Sequence, residues 1–353
     1  MSTPRARLRF VLALASLILL SAGSSISHAA QWHVASNGLD SNTCGPNDPC
    51  RSISAAIQRA SAGDVILVSP GVYGDLNQNG VLGEPGEETG EIGYGCNCVL
   101  KVDKAVSIRS TQGALLTRID VQSFTDRGYY VYGVHITADN ATFGLPDQGF
   151  EISGSNYYSL RVDSSHVSIS GNITSGPGAG FLVSGPDNEL DSDIAKNDSD
   201  GFIVAESNNT LTNCLASGSK GFGFVVDRNA QRVPPTGITL RHDIATGNQQ
   251  GFNIFGSATL SSVSAIDNAG GGIVLRVAAN VTVSNSNIFG NGVLAQNCGV
   301  LNQSGLSTVV SNVFWGAANG PGAEPADAVC DLDGSSTTVP SVAAKAFRTS
   351  FDP

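Results

Sequence analysis

Gly201-Phe-Ile-Val-Ala-Glu-Ser-Asn-Asn-Thr-Leu-Thr-Asn-Cys-Leu-Ala-Ser-Gly-Ser-Lys220 is a unit that returns, loosely copied, along the middle of the chain. Its opening pair stands at Gly149-Phe150, Gly180-Phe181, Gly201-Phe202, Gly221-Phe222 and Gly251-Phe252, with Gly272-Ile273 as a further variant. The intervals are 31, 21, 20, 30 and 21 residues. A period near twenty-one, stretched twice by about ten residues, is the signature of a solenoid with insertions on some coils. Apolar residues alternate after each glycine, as in Phe202 and Val204 or Phe252 and Ile254, and a period of two means strand. A second apolar group follows at Leu190 and Ala195, Leu211 and Ala216, Leu240 and Ala245, and Leu260 and Ala265. Gly, Ser, Asn and Asp between the groups mark tight bends.

Laid over one another, the units put Asn248, Asn268 and Asn291 in one column, with Asn197 close to register and Ser219 in the remaining coil. Coils stack at roughly 4.8 Å, so an inward Asn can bond its equivalents above and below and satisfy amides that burial would penalise. A second turn column holds Asp193, Cys214, Asp243, Val263 and Ser286. The expected fold is therefore all-β: a parallel β-helix of about eleven or twelve coils over residues 65–322. One amphipathic helix stands apart, with Ile53, Ala56, Ile57 and Ala60 on one face and Gly63 beyond its end. It is expected to cap the open first coil within an N-terminal segment 30–64, because a bare solenoid end exposes apolar side chains and unpaired edges.

The first 29 residues read as a secretory signal: Arg5, Arg7 and Arg9 precede the apolar run Val11 to Leu20, and Ser27-His28-Ala29 offers small residues for cleavage. Secretion, to the periplasm or the cell surface, and no membrane span after cleavage follow as expectations. Taking those three arginines from the 19 basic residues leaves 16 against 30 acidic ones, a net charge of −14. Such a surface makes nucleic acid a poor partner, so none is expected, and net charge alone says nothing about the substrate. Of the seven cysteines, Cys44 and Cys50 bracket a short loop, Cys298 and Cys330 flank the C-terminal end, and both pairs are expected disulfides. A Cys96–Cys98 bridge is the strained option. Cys214, inside a repeat, is the expected odd thiol. Residues 323–353, rich in Pro, Ala, Ser and Thr, read as a tail.

Trp32-His-Val-Ala-Ser-Asn-Gly-Leu-Asp-Ser-Asn-Thr-Cys44, Pro49-Cys-Arg-Ser-Ile-Ser-Ala-Ala-Ile57, Gly63-Asp-Val-Ile-Leu-Val-Ser-Pro-Gly-Val-Tyr73 and Asn312-Val-Phe-Trp-Gly-Ala-Ala-Asn-Gly-Pro-Gly322 resemble the two ends of secreted pectin-lyase-like proteins, and the coils resemble their parallel β-helix repeats. The resemblance implies a right-handed helix. It does not select an activity, since the fold serves lyases, hydrolases, epimerases and adhesins alike.

The hydrolase version finds no support, because the Asp-Asp, Gly-His-Gly and Arg-Ile-Lys groups of polygalacturonases are missing and Asn197-Asp-Ser-Asp-Gly201 is the sole echo. A calcium-assisted lyase needs Asp ligands and an Arg base near the substrate carboxylate. Asp191, Asp193, Asp198 and Asp200, with Asp227, Arg228 and Arg232 on the stretched coil, are its candidates, although only half of the family's Arg-x-Pro-x-x-Arg is present. His242 beside Asp243 is a further acid/base candidate. Asp75-Leu-Asn77-Gln-Asn79-Gly80 places oxygens at positions one, three and five and Gly at six, as a calcium loop does, with Glu87 one residue late for the closing acid. Calcium bound by Asp75, Asn77, Asn79 and Glu87 competes with a plain polar insertion. Tyr129, Tyr130, Tyr157 and Tyr158 are the candidates for stacking on sugar. The leading expectation is a monomeric, exported protein that binds a polysaccharide or cell-envelope glycan without an identified catalytic site. The alternative is a calcium-assisted lyase acting on an acidic polysaccharide.

Overall fold

The computed structural model describes residues 29–90, 96–292 and 296–348, and the expected signal segment lies outside them except for Ala29. Three all-parallel sheets of twelve, ten and nine strands form among the described residues. Each full coil contributes one strand to the twelve-stranded sheet, then one to the nine-stranded, then one to the ten-stranded. The chain is thus a parallel β-helix, and the right hand is the one that parallel crossovers adopt. No described helix is long and apolar enough to cross a membrane.

The registers explain the repeat. In the nine-stranded sheet Ala195, Ala216, Ala245 and Ala265 pair in succession, and in the twelve-stranded sheet Leu190, Leu211, Leu240 and Leu260 do the same. In the ten-stranded sheet Leu160, Phe181, Phe202, Phe224, Phe252, Ile273 and Val300 are in register. Two of the expected Gly-aromatic repeats therefore shift. Gly223-Phe224, and not Gly221-Phe222, occupies the ladder, while Phe150 leads into the nine-stranded sheet strand Glu151–Ser153. The four phenylalanines stack nearly parallel, with centroids 4.6, 4.8 and 4.9 Å apart. The glycine before each faces the interior: a Cβ on Gly180, Gly201, Gly223, Gly251 or Gly272 would stand 2.4 to 2.8 Å from the carbonyl oxygen of the next glycine in the column.

The turn columns are equally regular. Ser219 N–H donates to Asn248 Oδ1 at 2.8 Å, Asn248 to Asn268 at 3.1 Å and Asn268 to Asn291 at 3.0 Å, and Asn291 passes the chain to Asp327. Each of these Asn Nδ2 groups also donates to an alanine carbonyl, Ala216, Ala245 or Ala265. Asn197 falls one place short of this column. It has φ +57°, the left-handed turn position shared by Gly218, Gly247, Asp267 and Gly290, and Asp198 is the inward residue.

Helix α1, Ile53–Arg59, is capped by Ser52 and packs on the first strands, as expected of an end cap. Buried Glu88 closes its N-terminus, accepting from Ile53 N, Ser54 N and Ser54 Oγ. A second short helix, α2 at Gln122–Asp126, was not foreseen. The ladders overrun the 65–322 bounds at both ends: Gln31–Val34 starts the twelve-stranded sheet, and Ala328–Asp331 and Ser336–Val342 end two sheets. Cys44–Cys50, Cys96–Cys98 and Cys298–Cys330 are all disulfides, and Cys214 is free and buried.

Candidate functional site

The lyase candidates do not meet. Asp193 and Asp198 are wholly buried inside two different corners of the coil. Asp193 Oδ1 accepts the Asn172 N–H at 2.8 Å and Asp198 Oδ2 accepts the Thr174 hydroxyl at 2.8 Å, so both serve the interior ladders. Burial pushes the two carboxyls up to about 8 and about 7. Asp200, half-buried, accepts the Phe222 N–H at the corner before the strand Phe202–Val204. Arg228 and Arg232 lie beyond the other end of that strand's neighbour, in the exposed loop after Phe222–Val226, with Arg232 at φ +64°. Asp191 sits at the opposite sheet, bonded by Asn213. His242 occupies the left-handed turn position, φ +59°, and is exposed while Asp243 points inward and is fully buried. The adjacent pair therefore faces opposite ways and forms no acid/base couple.

The loop Asp75–Glu88 is wound on its own acids. Asp75 accepts the N–H groups of Asn79 and Gly80, Glu87 Oε1 those of Leu76 and Asn77, and Glu84 Oε2 the side-chain amides of Asn77 and Asn79. Burial raises the Glu87 carboxyl, and Asp75 and Glu84 beside it push in the same direction.

Chemistry gathers on the outer face of the ten-stranded sheet. At its N-terminal end Lys101, His135 and Arg161 are in register and face outward between buried valines and leucines. His135 Nε2 shares a hydrogen with Asp163 Oδ2 at 2.9 Å, Arg161 Nε donates to Asp163 Oδ1 at 2.8 Å, and Arg161 also donates to the Tyr132 hydroxyl. Burial alone would raise the Asp163 carboxyl, but the bonds from His135 and Arg161 outweigh it and hold it below the usual range. Tyr132 stacks on Tyr157, whose ring adjoins Tyr158 at 4.4 Å and Tyr130 at 6.0 Å. Burial pushes the Tyr158 hydroxyl up to about 12. Tyr130 and Tyr157 are exposed, so three of the four tyrosines expected to stack on sugar share one platform. His135 itself is not a free base: Nε2 is spent on Asp163, and Nδ1 is enclosed without a protein partner.

Further along the same face, Leu182, Ile203 and Val225 continue the row of Arg161 as an apolar floor, and Asn253 follows. Here Arg276 donates through Nε to Asn253 Oδ1 at 2.6 Å, through Nη1 to Gln303 Oε1 at 3.0 Å and through Nη2 to Gln250 Oε1 at 3.1 Å. All three acceptors are neutral. Burial lowers its basicity with no carboxylate to restore it. Arg276 and Arg228 both lie against the Phe255 ring, at 5.9 and 5.5 Å from the centroid. Sequence reading named Arg228 but missed Arg276, His135 and Asp163, because their partners lie 23 to 28 residues away and only the correct register joins them.

The sequence profile of the family described as right handed beta helix region matches residues 104–265. No curated protein is similar at the level of sequence. Among solved structures, a rhamnogalacturonan lyase aligns over 88% of this chain and 87% of its own, with a TM-score of 0.60 and 13% identity. The pectate lyase Pel9A aligns over 91% and 80%, with a TM-score of 0.55 and 18% identity. The A-module of the Azotobacter vinelandii mannuronan C-5 epimerase AlgE4 aligns over 83% and 94%, with a TM-score of 0.54 and 15% identity. At these identities the likeness is one of fold.

Proposed function

Since the chain is a right-handed parallel β-helix protein, we propose that the outer face of its ten-stranded sheet binds an extended acidic polysaccharide, outside the cytoplasm of the cell that exports it. The observation that carries this reading is Arg276, a half-buried guanidinium held by three neutral amide oxygens, with Arg228 on the same aromatic ring. Burying a cation without an anion is costly, and a ligand carboxylate or sulfate supplies the missing charge through a forked hydrogen bond. Neither arginine is in an ion pair among the described residues.

Five rungs separate Leu160, beside the tyrosines, from Ile273, beside Arg276. At ~4.8 Å per rung that is about 24 Å, the reach of a short oligosaccharide. The tyrosine platform offers ring faces for sugar C–H groups at one end, and the arginines read charge at the other. The neighbours named above as lyases and an epimerase of polysaccharides support a saccharide as the ligand. Binding is favoured over cleavage because the lyase candidates Asp193 and Asp198 are inside the coil and His135 has Nε2 bonded to Asp163 and Nδ1 enclosed away from solvent.

The test is titration calorimetry with polygalacturonate, alginate and neutral dextran, beside an absorbance assay for unsaturated product with added calcium. The acidic polymers are expected to bind, dextran to bind weakly, and no product to form. Arg276→Gln should weaken binding roughly tenfold to a hundredfold, as loss of a charged hydrogen bond does. Equal affinity for dextran and alginate would remove the proposal, and unsaturated product would replace it with the lyase.

A further inference from the structure

The glycan face gives the loop Asp75–Glu88 no part in ligand binding. The loop leaves the strand Gly71–Gly74 and carries oxygens on Asp75, Asn77 and Asn79, then Gly80 at φ +77°, a backbone that turns the chain back on itself. Glu87 returns to the start of the loop: its Oε1 accepts the N–H of Leu76 at 3.1 Å and of Asn77 at 3.3 Å. Glu87 is only 2% exposed, and its second oxygen, Oε2, is enclosed with no hydrogen-bond partner. An enclosed, unpartnered carboxylate oxygen beside a second buried acid, Asp75, is an electrostatic debt that hydrogen bonds inside the loop leave open.

We propose that this loop is a calcium site, with Asp75 and Glu87 supplying carboxylate oxygens, Asn77 and Asn79 side-chain oxygens, and Glu84 a further acid at its mouth. The donors are all oxygen, with no His or Cys, which selects a hard cation over zinc or copper. Calcium takes six to eight oxygens in flexible arrangements, whereas magnesium demands a rigid octahedron that a winding loop does not provide. Among the described residues no three acidic, histidine or cysteine side chains stand ready as a metal cage, so binding must draw the ligands inward. Asn77 and Asn79 aim their side-chain amides at Glu84 Oε2, at 2.5 and 2.7 Å, while their oxygens accept the N–H groups of Asn79 and Val81 at 2.8 Å, so a half turn that presents oxygen to the cation exchanges those two bonds for metal ligation.

The loop also ties three parts of the N-terminal end together. Arg127, just past α2, donates to the Gln78 carbonyl at 3.1 Å, Arg51 lies against Gly86, and Glu88 caps α1. A cation here would fasten the cap to the first coils. The experiment is calorimetric titration of the full exported chain, first stripped with a chelator, with calcium chloride and then magnesium chloride, alongside thermal melting in each. One calcium per chain, a raised melting temperature and little response to magnesium are expected. Asn77 and Asn79 are exposed, so Asn77→Ala/Asn79→Ala leaves the fold intact and should weaken calcium binding by roughly tenfold or more. Glu87→Gln should abolish it. The proposal is overturned by no calcium heat and no thermal shift in the natural protein, or by calcium affinity unchanged in the double alanine variant. This inference is independent of the glycan reading, and failure of either leaves the other standing.

Discussion

Asp243→Asn is expected to make the protein more heat-stable at pH 8 while leaving it nearly unchanged at pH 4. Asp243 is fully buried in the column that also holds Asn172, Asp193 and Cys214, and its Oδ1 accepts the Cys214 N–H at 2.8 Å. A polar rung of this column is best served by a side chain that both accepts that bond and donates to a backbone carbonyl, whereas Val263 does neither. Asn172 meets both needs, its Nδ2 reaching Ser170 O at 3.1 Å, and Cys214 donates its thiol to Thr212 O at 3.5 Å. Asp243 Oδ2 has no partner and can donate only when protonated. Burial accordingly pushes this carboxyl far above the usual range.

The folded state therefore holds a proton that the unfolded chain releases near pH 4. The contribution of the group is complete below that pH and is lost as pH rises toward the folded value, at about 1.4 kcal/mol per pH unit. Asp193, raised to about 8, Asp198, to about 7, and Asp327, to about 6, act in the same direction. The natural protein should lose stability steadily from pH 4 to pH 8, and the asparagine should remove one share of that slope. Melting followed by circular dichroism should show the variant roughly 5 °C or more above the natural protein at pH 8. A variant that melts lower at pH 8 would mean that Asp243 is ionised in the fold and that the donor argument is wrong.

Phe224→Ala and Phe222→Ala differ by two positions and should differ by several kcal/mol. Phe224 is 1% exposed, with Phe202 and Phe252 stacked on either side at 4.8 and 4.9 Å. Truncation there opens a cavity that neighbouring rungs cannot fill without breaking their own hydrogen bonds, at a cost of about 3–5 kcal/mol. Phe222 faces outward and is half-buried, so its loss should cost about 1 kcal/mol or less. Urea unfolding of the two variants compares them directly. Equal losses would place Phe222 in the core and return the register to the simpler Gly-Phe reading.

That register shows where sequence reading succeeds and where it stops. Leu190 with Ala195 and Leu211 with Ala216 are separated by a corner of fixed length, so sliding the units aligns them correctly. Gly221-Phe-Gly-Phe224 offers the same signature in two frames, and only interior packing chooses between them. Asn197 and Asp198 were confused for a related reason. The left-handed turn position and the inward ladder position stand side by side, and both favour Asn and Asp, one for backbone conformation and the other for hydrogen bonding. The site was less legible than the fold because outward residues answer to a ligand and leave no periodic mark. Tyr129-Tyr130 and Tyr157-Tyr158 were visible as two adjacent pairs, whereas Arg276 meets Asn253 and Gln303 across spacings of 23 and 27 residues, neither of which is the basic period. Asp193 and Asp198 were the reverse case, since residues that look solvated in a turn-rich stretch are interior hydrogen-bonding groups of the coil.

Diffraction from crystals of the protein grown with an oligouronate addresses the central claim most directly. The saccharide should lie along the ten-stranded sheet, with rings over Tyr157 and Tyr158 and a carboxylate within hydrogen-bonding distance of Arg276. A saccharide resting on the twelve- or nine-stranded sheet, with Arg276 still held by its three amides alone, would contradict the account.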